Sequence, residues 1–367
     1  MRIAPDLPKV LLAAVTSVFL PIAAFGQSTP DIQPVIANLD APWAVAPLRG
    51  GGALVTEQGG ALIFVRGEQR HSVSGVPESI ADGQGGLLDI TLARDFDQSR
   101  TLFLTYAKPQ AGGGSGTALA SARLSEDTLR LEDVTELFEM APGSSGGRHF
   151  GSRVVEATDG TLFVTIGERG DRPAAQDNSR HNGTVIRVNR DGSIPQDNPF
   201  VGQTGVQPEI WSFGHRNPQG AGLDGQGNLW VSEHGAKGGD EVNIIRKGAN
   251  YGWPVISYGR HYSGRKIGEG TAKEGMEQPA HFWDPSIAPS GLLVYSGTMF
   301  PDWAGDIFVG SLKFDYISRL GGDPLRELEQ IKTPQTERVR DIVEAADGSI
   351  WFISQPQGIV YRMTPTK

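Results

Sequence analysis

The stretch from Gln207 to Trp253 concentrates polar side chains that could hold a small ligand. Two glycine-rich segments, GHRNPQG and EHGAKGGDE, are separated there by the apolar run LWV. Glycine lets a backbone approach a ligand closely, and arginine and asparagine supply fixed hydrogen-bond donors. Either segment alone is typical of an ordinary turn between strands. The two together, one strand apart, predict a ligand site.

Polar residues of the same kinds occur in loop-like segments elsewhere in the chain. They are Gln84 in DGQGGLLDI, His149 in GGRHFGSRVV, Glu168 in TIGERGDRP, Arg216 and Asn217 in GHRNPQG, Lys313 in GSLKFD, and Arg338 and Arg340 in TERVRDI. If the fold brings them together, these cations and amides suit a small, planar, multiply anionic ligand, because guanidinium groups pair bidentately with carboxylates.

Many short strands joined by tight turns must position these residues. The 367 residues include 49 glycines and 24 prolines, and only 20% are charged, which is typical of such a chain. A turn, a short apolar strand and a second strand candidate recur together six times. The first strands of these units are GGALVT, SRTLFLTY, DGTLFVTIG, GNLWVSE, GDIFVGS and DGSIWFIS.

Units of this kind indicate a β-propeller, whose blades usually carry four strands in about 40–50 residues. We predict an all-β, six-bladed β-propeller with the active site at the channel mouth on one face, where loops of several blades converge. Residues 32–38 are expected to close the ring by pairing with the last blade. A β-sandwich pair is the alternative, but it does not require six similar units. The amphipathic residues 124–138 leave helix and strand both open, because several are β-branched.

The N-terminus is typical of a secretory signal. Arg2 and Lys9 precede an apolar run from Val10 to Phe25, and the small residue Gly26 suits cleavage. We therefore expect a signal peptide at residues 1–26, a single propeller domain at residues 27–367, and a periplasmic protein, with an uncleaved N-terminal anchor as the alternative. The apolar run is short for a membrane span, and no later segment is apolar enough to insert, so the mature protein is expected to stay outside the bilayer.

Charge and cysteine content exclude other classes. The net charge is −9 with no basic run, which argues against a nucleic-acid partner. The sequence contains no cysteine, so neither disulfides nor thiolate chemistry contribute.

The motifs HFGSRVV, TIGERGDRPAAQD, IWSFGHRNPQG, EHGAKGGDEVN and KGANYGWP occur in this order. They resemble those of the soluble aldose sugar dehydrogenases that use pyrroloquinoline quinone (PQQ), relatives of soluble quinoprotein glucose dehydrogenase. The resemblance extends from about Leu39 to Met363. It implies a PQQ enzyme that oxidises the anomeric C1 of aldose sugars to lactones by hydride transfer to Ca²⁺-bound PQQ.

The resemblance also implies catalytic roles. His149 matches the general base of the family, and an imidazole suits this role because its ordinary pKa lies near neutrality. Glu168 would orient that imidazole, or it would instead be a surface carboxylate paired with Arg169 or Arg172. Arg216 would contact the reacting quinone oxygen or the substrate.

Residues that match the cofactor-contacting positions of the family are Gln84, Arg216, Asn217, Lys313, Arg338 and Arg340. The alternating spacing of Arg338 and Arg340 predicts that both lie on one face of a strand. Because Glu337 and Asp341 surround them, a solvated edge strand is the alternative.

By the same resemblance, the carbonyls of Gly235 and Ala236 would hold the Ca²⁺ ion that polarises the quinone. A second, structural Ca²⁺ is implied at Glu241 and the carbonyl of Tyr251. Glu241 equally fits a structural carboxylate.

One residue departs from the family pattern. Arg148, next to the expected base, is not the small polar or acidic residue that the family pattern leads us to expect. The relatives that prefer glucose are longer and carry loop insertions that shape the sugar pocket and the dimer contact, whereas this chain is compact. The resemblance therefore implies neither a glucose preference nor a dimer, and the chain is a monomer or a dimer.

The substrate class is expected to be an aldose, and the electron acceptor a quinone or a cytochrome. Alternative functions are a Ca²⁺-dependent propeller lactone hydrolase and a non-catalytic propeller that binds a glycan or a protein.

Overall fold

The computed structural model describes Met1 and residues 30–366. The predicted signal peptide, residues 1–26, lies outside the described residues except for Met1, so the division into a signal and one mature domain stays a prediction. No helix within the described residues is both long and apolar enough to cross a membrane.

The described chain forms six four-stranded antiparallel sheets. The N-terminal strand is β1 (Asp31–Ile36). Blade 1 contains β2 (Pro42–Pro47), β3 (Ala53–Glu57), β4 (Leu62–Arg66) and β5 (Gln69–Val73). Blade 2 contains β6 (Leu87–Leu92), β7 (Thr101–Pro109), β8 (Ser115–Leu124) and β9 (Leu131–Glu139). Blade 3 contains β10 (Gly151–Glu156), β11 (Leu162–Ile166), β12 (Thr184–Val188) and β13 (Ile210–Phe213).

The remaining strands follow the same order. Blade 4 contains β14 (Pro218–Leu223), β15 (Leu229–Glu233), β16 (Asp240–Ile245) and β17 (His281–Trp283). Blade 5 contains β18 (Pro289–Val294), β19 (Ile307–Ser311), β20 (Ile317–Gly321) and β21 (Arg326–Ile331). Blade 6 contains β22 (Val339–Glu344), β23 (Ile350–Ser354) and β24 (Ile359–Thr364).

The ring closes as the sequence predicts. Strand β1 pairs antiparallel with β24, from Asp31 opposite Thr364 to Ile36 opposite Val360, and so supplies the fourth strand of blade 6. The six-bladed β-propeller is confirmed. Closure matters because the N-terminal strand ties the last blade to the first and leaves no open gap in the ring.

Helical structure within the described residues is confined to short pieces. They are α1 (Phe96–Ser99) and the 3₁₀ turns Arg172–Gln176, Pro301–Trp303 and Pro334–Thr336. The amphipathic residues 124–138 are not helical, because they contain the end of β8, a turn and most of β9.

Neighbouring blades pack through their apolar middle strands. Phe103 of β7 and Leu119 of β8 are fully buried with Val164 of β11 and Ile186 of β12 in one cluster. Burying a side chain of this size contributes about 1.5–3 kcal/mol. This packing holds the blades in place, so the strand ends that carry the loops at the channel mouth have fixed positions.

The first strand of every blade lines the central channel, and each of these strands contacts its neighbours around the ring. Each also changes register within its first four residues, as a β-bulge does. Buried residues at these irregularities include Trp43, Asp89, Arg153, Gln219, Ser290 and Arg340. One irregularity per blade therefore places a set of polar and aromatic side chains in the channel.

These side chains bond to one another below the mouth. Arg153 Nη1 donates to Asp89 Oδ1 at 2.8 Å and to Asp341 Oδ1 at 2.7 Å. The guanidinium carbons of Arg153 and Arg340 lie 4.4 Å and 5.1 Å from the ring centroid of Trp43. We call the residues Trp43, Asp89, Arg153, Gln219, Arg340 and Asp341 the channel plug.

Candidate active site

Most of the residues singled out in the sequence lie at one end of the channel. His149 and Arg216 lie just before the first strands of blades 3 and 4, and Glu168 lies just after the second strand of blade 3. In an antiparallel blade, the start of the first strand and the end of the second strand lie at the same edge. The strand order therefore brings these loops to one mouth.

Direct hydrogen bonds connect the loops of blades 2, 3 and 4. Gln84 Oε1 accepts from the backbone N–H of His149 at 2.7 Å. The N–H of Glu168 donates to the carbonyl of Arg216 at 2.8 Å. Asn217 Oδ1 accepts from the N–H of Gly151 at 3.2 Å. All five of the predicted residues on these blades therefore belong to one bonded network.

The central contact of the network joins His149 and Glu168. The His149 Nδ1 nitrogen is hydrogen-bonded to Glu168 Oε1, which also accepts from the N–H of Gly170 at 3.0 Å. A carboxylate acceptor at Nδ1 places the proton there and leaves Nε2 as the nitrogen that can accept a proton. Of the two alternatives for Glu168, the structure places it against His149, and Arg169 bonds to backbone carbonyls instead.

The environment favours the neutral form of His149. Burial lowers its pKa below the ordinary value, the hydrogen bond to Glu168 raises it, and the charges of Arg216 and Arg148 lower it. The side chain is 13% exposed, so the ring edge reaches the mouth. A lowered pKa favours the neutral imidazole, whose Nε2 can accept a proton while the buried carboxylate bonds to Nδ1.

Arg216 is buried beside this pair, and its side-chain contacts are to a carbonyl and an aromatic ring. Its Nη1 donates to the carbonyl of His234 at 3.2 Å, and its guanidinium lies 5.3 Å from the ring centroid of Trp253. Arg172 lies 5.3 Å from the same centroid. Burial lowers the pKa of Arg216. Trp253, which the sequence did not single out, therefore packs against the guanidinium groups of two arginines.

Several buried polar atoms at the mouth and in the channel plug lack partners. Within residues 30–366, no hydrogen bond is made by Glu168 Oε2, Arg216 Nε, Asn217 Nδ2 or Arg340 Nε. An unsatisfied buried polar group costs about 1–3 kcal/mol. The three unpartnered nitrogens are donors on two buried cations and an amide, so they can bind anionic groups of a ligand.

Arg340 and Arg338 occupy different environments. Arg340 is buried in the channel plug, where its Nη2 donates to Gln219 Oε1. Burial, with the charges of Arg153 and Arg338, lowers the pKa of Arg340 to about 9. Gln219 Nε2 also reaches Asn217 Oδ1 at 3.4 Å, so Arg340 joins the same network.

Arg338 is exposed and already bonded. Its Nε donates to Gln355 Oε1 at 3.0 Å, and its Nη1 donates to the carbonyl of Leu312 at 3.1 Å. Arg338 has a φ of 44° and precedes β22, and the register of β22 changes between Val339 and Asp341. The prediction that Arg338 and Arg340 share one face of a regular strand is therefore wrong. Exposed Lys313 lies nearby, with its Nζ 4.8 Å from the ring centroid of Phe314.

The four residues predicted to bind Ca²⁺ lie in or beside blade 4. Gly235 and Ala236 follow β15 in a turn whose N–H at Gly235 donates to Asp240 Oδ1 at 2.8 Å. Glu241 lies near the start of β16, opposite Glu233 of β15. Tyr251 is buried, and its hydroxyl donates to the carbonyl of Ile244, which leaves its backbone as the part available to an ion.

A cavity of about 20 Å³ lies between these elements and is lined by Glu233, Gly235, Glu241 and Tyr251, among others. Burial, together with the charge of Glu233, raises the pKa of Glu241 to about 8. Buried Glu233 and half-buried Glu241 place two carboxyl groups beside backbone carbonyls, and these are oxygen donors of the kind that Ca²⁺ prefers. The described residues contain no cluster of three or more His, Cys, Asp or Glu side chains that could hold a metal.

Glu233 is a supporting residue that the sequence did not reveal. Its Oε2 accepts from the N–H of Arg216 at 2.8 Å, and its Oε1 accepts from His215 Nδ1 at 2.9 Å. Its position in the sequence, at the end of the strand LWVSE and directly before His234, could have indicated this role. Glu233 thus fixes the loop that carries Arg216 and Asn217.

Comparisons with known proteins agree with this geometry. Residues 39–362 match the Glucose / Sorbosone dehydrogenase family. Aldose sugar dehydrogenase YliI of Escherichia coli (strain K12) is 40% identical over 347 residues, which cover 92% of this chain and 94% of that protein. Quinoprotein glucose dehydrogenase B of Acinetobacter calcoaceticus is 30% identical over 318 residues, covering 78% of this chain and 64% of that protein. The crystal structure of the soluble aldose sugar dehydrogenase from E. coli in the apo form superposes with a TM-score of 0.89 at 40% identity, covering 92% of this chain and 100% of that chain.

Proposed function

The chain belongs to the glucose/sorbosone dehydrogenase family, and from that premise we propose that it oxidises the anomeric C1 of aldose sugars to lactones with Ca²⁺ and PQQ as cofactors. The observation that supports this most strongly is the His149–Glu168 pair beside two buried arginines that have unpartnered donors. When bound, PQQ would accept a hydride from C1, and Ca²⁺ would polarise it as a Lewis acid.

His149 is the general base in this proposal. The hydroxyl on C1 of the sugar loses its proton to Nε2, while Nδ1–H stays bonded to Glu168. The imidazole becomes a cation, and the adjacent buried carboxylate stabilises that charge. The C1–H and O–H bonds break and a C1=O bond forms, which gives the lactone.

The cofactor would be held from two sides. Gln84, Arg216 and Asn217 approach the mouth from blades 2 and 4, and Arg340 approaches it from the channel plug. Lys313 and Arg338 lie at the exposed edge of blades 5 and 6. PQQ carries three carboxylates, whose negative charge is complementary to the four cations Arg216, Arg340, Lys313 and Arg338.

The metal sites are proposals of the same kind. The carbonyls of Gly235 and Ala236 would hold the ion at PQQ. Glu241 and the carbonyl of Tyr251 would hold a second ion at the small cavity, where Glu233 adds negative charge.

A reconstitution experiment tests the function. Apoprotein would be mixed with PQQ and Ca²⁺, and an aldose would be added with an artificial dye that bleaches on reduction. We expect bleaching only when PQQ, Ca²⁺ and sugar are all present, with lactone as the product. No bleaching with any aldose, together with hydrolysis of an added lactone, would contradict the proposal and indicate a hydrolase.

We also propose that the mature protein works in the periplasm, as residues 1–26 predict. Cell fractionation with antibody detection would place it there, and N-terminal sequencing of the mature protein should begin near Gln27. The physiological electron acceptor, a quinone or a cytochrome, can be identified by reoxidation of the reduced enzyme with each.

A further inference from the structure

The turn after β11 contains a second buried residue whose contacts point to the expected base. Arg169 is 3% exposed. Its Nη1 donates to the carbonyl of Arg148, and its Nη2 donates to the carbonyl of Gly146 at 2.8 Å and to Ser115 Oγ at 3.2 Å. Two of these three acceptors belong to residues 146–150, which we call the base loop because it carries the expected base.

Most contacts of the Arg169 guanidinium are to the base loop. Its carbon lies 3.4 Å from the ring centroid of Phe150, the last residue of the base loop. Burial lowers the pKa of Arg169 to about 10. A buried cation is costly unless its donors are satisfied. Arg169 Nε makes no hydrogen bond within residues 30–366, so displacement of the base loop would remove two more hydrogen bonds from a buried cation whose donors are already incompletely satisfied.

The backbone at both ends of this contact is conformationally unusual. His149 has a φ of 57° and Arg169 has a φ of 62°, in the left-handed region that few side chains adopt. Such conformations persist only where the surrounding structure enforces them. Gly167 permits the close approach, since a Cβ there would lie 2.0 Å from the carbonyl oxygen of His149.

We propose that Arg169 is a positioning residue that holds the base loop so that His149 Nε2 points to the substrate. Glu168 and Arg169, adjacent in sequence, then act on the base in different ways. Glu168 holds the imidazole through Nδ1, whereas Arg169 holds the backbone of the residues that precede His149. The inference rests on the proposed role of His149 as general base.

The test compares Arg169→Gln and Arg169→Lys with the wild-type protein, each reconstituted with PQQ and Ca²⁺. Misplacing a catalytic group by about 1 Å costs on the order of 100-fold in rate, so we expect Arg169→Gln to lower kcat by about 10- to 100-fold. The KM for the sugar and the Kd for PQQ should change by less than about threefold, because Arg169 contacts the base loop and not the buried arginines. Arg169→Lys keeps the charge but has its three N–H donors on a single nitrogen, so it should recover part of kcat.

Arg180→Gln is the matched control, because Arg180 lies in the same connection and forms a half-exposed ion pair with Asp171 at 2.9 Å. It should leave kcat unchanged. A fall in the PQQ affinity or in the melting temperature that parallels the loss of kcat in both Arg169 variants would overturn the positioning role. If Arg169→Gln does not fold, Arg169→Lys alone decides: wild-type kcat in that variant also overturns the proposal.

A double variant separates this inference from the proposed function. If Arg169 acts through His149, Arg169→Gln combined with His149→Gln should be no slower than His149→Gln alone. Multiplicative losses would overturn the inference while leaving the base in place. Near-normal turnover of His149→Gln would overturn the base itself. A loss in His149→Gln without a loss in Arg169→Gln would overturn only the positioning role.

Discussion

The two sides of the channel mouth differ in how their charged groups are bonded. On one side, His149, Glu168, Arg216, Asn217 and Arg340 are largely buried and linked by hydrogen bonds, and several of their polar atoms lack partners within residues 30–366. We call this set the buried side.

On the other side, Lys313 and Arg338 are exposed, and we call this pair the exposed rim. Arg338 has side-chain hydrogen bonds to a glutamine and to a carbonyl. A buried donor without a partner has already lost its water, so a ligand that bonds to it gains most of a hydrogen bond. An exposed cation must give up solvent and existing bonds, so it gains little. The buried arginines and the exposed rim residues look equivalent in the sequence, but their burial predicts different contributions to ligand binding.

Removal of the cation should have the largest effect. Exhaustive chelation is expected to abolish sugar oxidation, because the proposed Ca²⁺ beside the carbonyls of Gly235 and Ala236 would polarise the quinone. Ca²⁺ should restore activity, and Mg²⁺ should restore it poorly, because Mg²⁺ requires a tighter octahedral shell. The measurement is dye reduction alongside metal analysis. Full activity in a preparation free of metal would contradict the proposal.

Loss of the base should come next. We expect His149→Gln to keep bound PQQ while turnover falls by about 10²–10⁴-fold, the usual contribution of a general base. Single-turnover kinetics on the PQQ-loaded protein measure this directly. His71→Gln is the control, because His71 stacks on Phe64 in the outer part of blade 1. Near-normal turnover of the His149 variant would remove the buried side from the mechanism.

Replacing one arginine from each side tests whether burial determines how much an arginine contributes to PQQ binding. Removing one partner of a desolvated charge pair costs about 2–5 kcal/mol, so Arg340→Ala should weaken PQQ binding by tens- to thousands-fold. Arg338→Ala removes an exposed charge, worth about 0–1 kcal/mol, so a change below about fivefold is expected. The measurement is PQQ titration of the apoprotein.

Saturating PQQ should restore most of the turnover in both arginine variants, since neither residue takes a proton. Melting temperatures must accompany the titrations, because Arg340 also belongs to the channel plug. Equal losses of affinity in two folded variants would show that burial does not distinguish the sides of the mouth.

The sequence predicted the middle strands of the blades best. The six repeated units correspond to β3, β7, β11, β15, β19 and β23, with the strands that follow them. These strands are almost wholly buried, so they form continuous apolar runs. The outer strands were harder to recognise, because strands such as β5 and β17 are short or polar.

The channel plug could not be predicted from the pattern. Residues such as Arg153 and Asp89 look like surface charges in the sequence, and only the ring of bulged first strands brings them together. The same bulge explains the wrong prediction for Arg338 and Arg340, since a register change breaks the alternation of side chains along a strand. Arg169 was missed because a buried arginine bonded to carbonyls has the same sequence context as a surface ion pair.

The smallest effect is expected from Arg148, an exposed cation beside the buried side. Burial is the main cause of the lowered pKa of His149, and the charges of Arg216 and then of exposed Arg148 add to it. A lowered pKa keeps the imidazole neutral, and therefore active as a base, to lower pH. Arg148→Gln removes a positive charge, so the pKa of His149 should rise and the acidic limb of the kcat/KM profile should move to higher pH.

Turnover of the Arg148 variant on the plateau above this limb should be unchanged, because the backbone carbonyl of Arg148 still accepts from Arg169. High ionic strength should shift the wild-type limb in the same direction, since salt screens an exposed charge more than a buried one. Arg123→Gln controls for general charge effects, because Arg123 is a half-exposed arginine paired with Glu132 and Asp133 on blade 2. A shift of the limb to lower pH would show that Arg148 does not act on His149 through its charge, and the exposed residues would then play no electrostatic part in tuning the base.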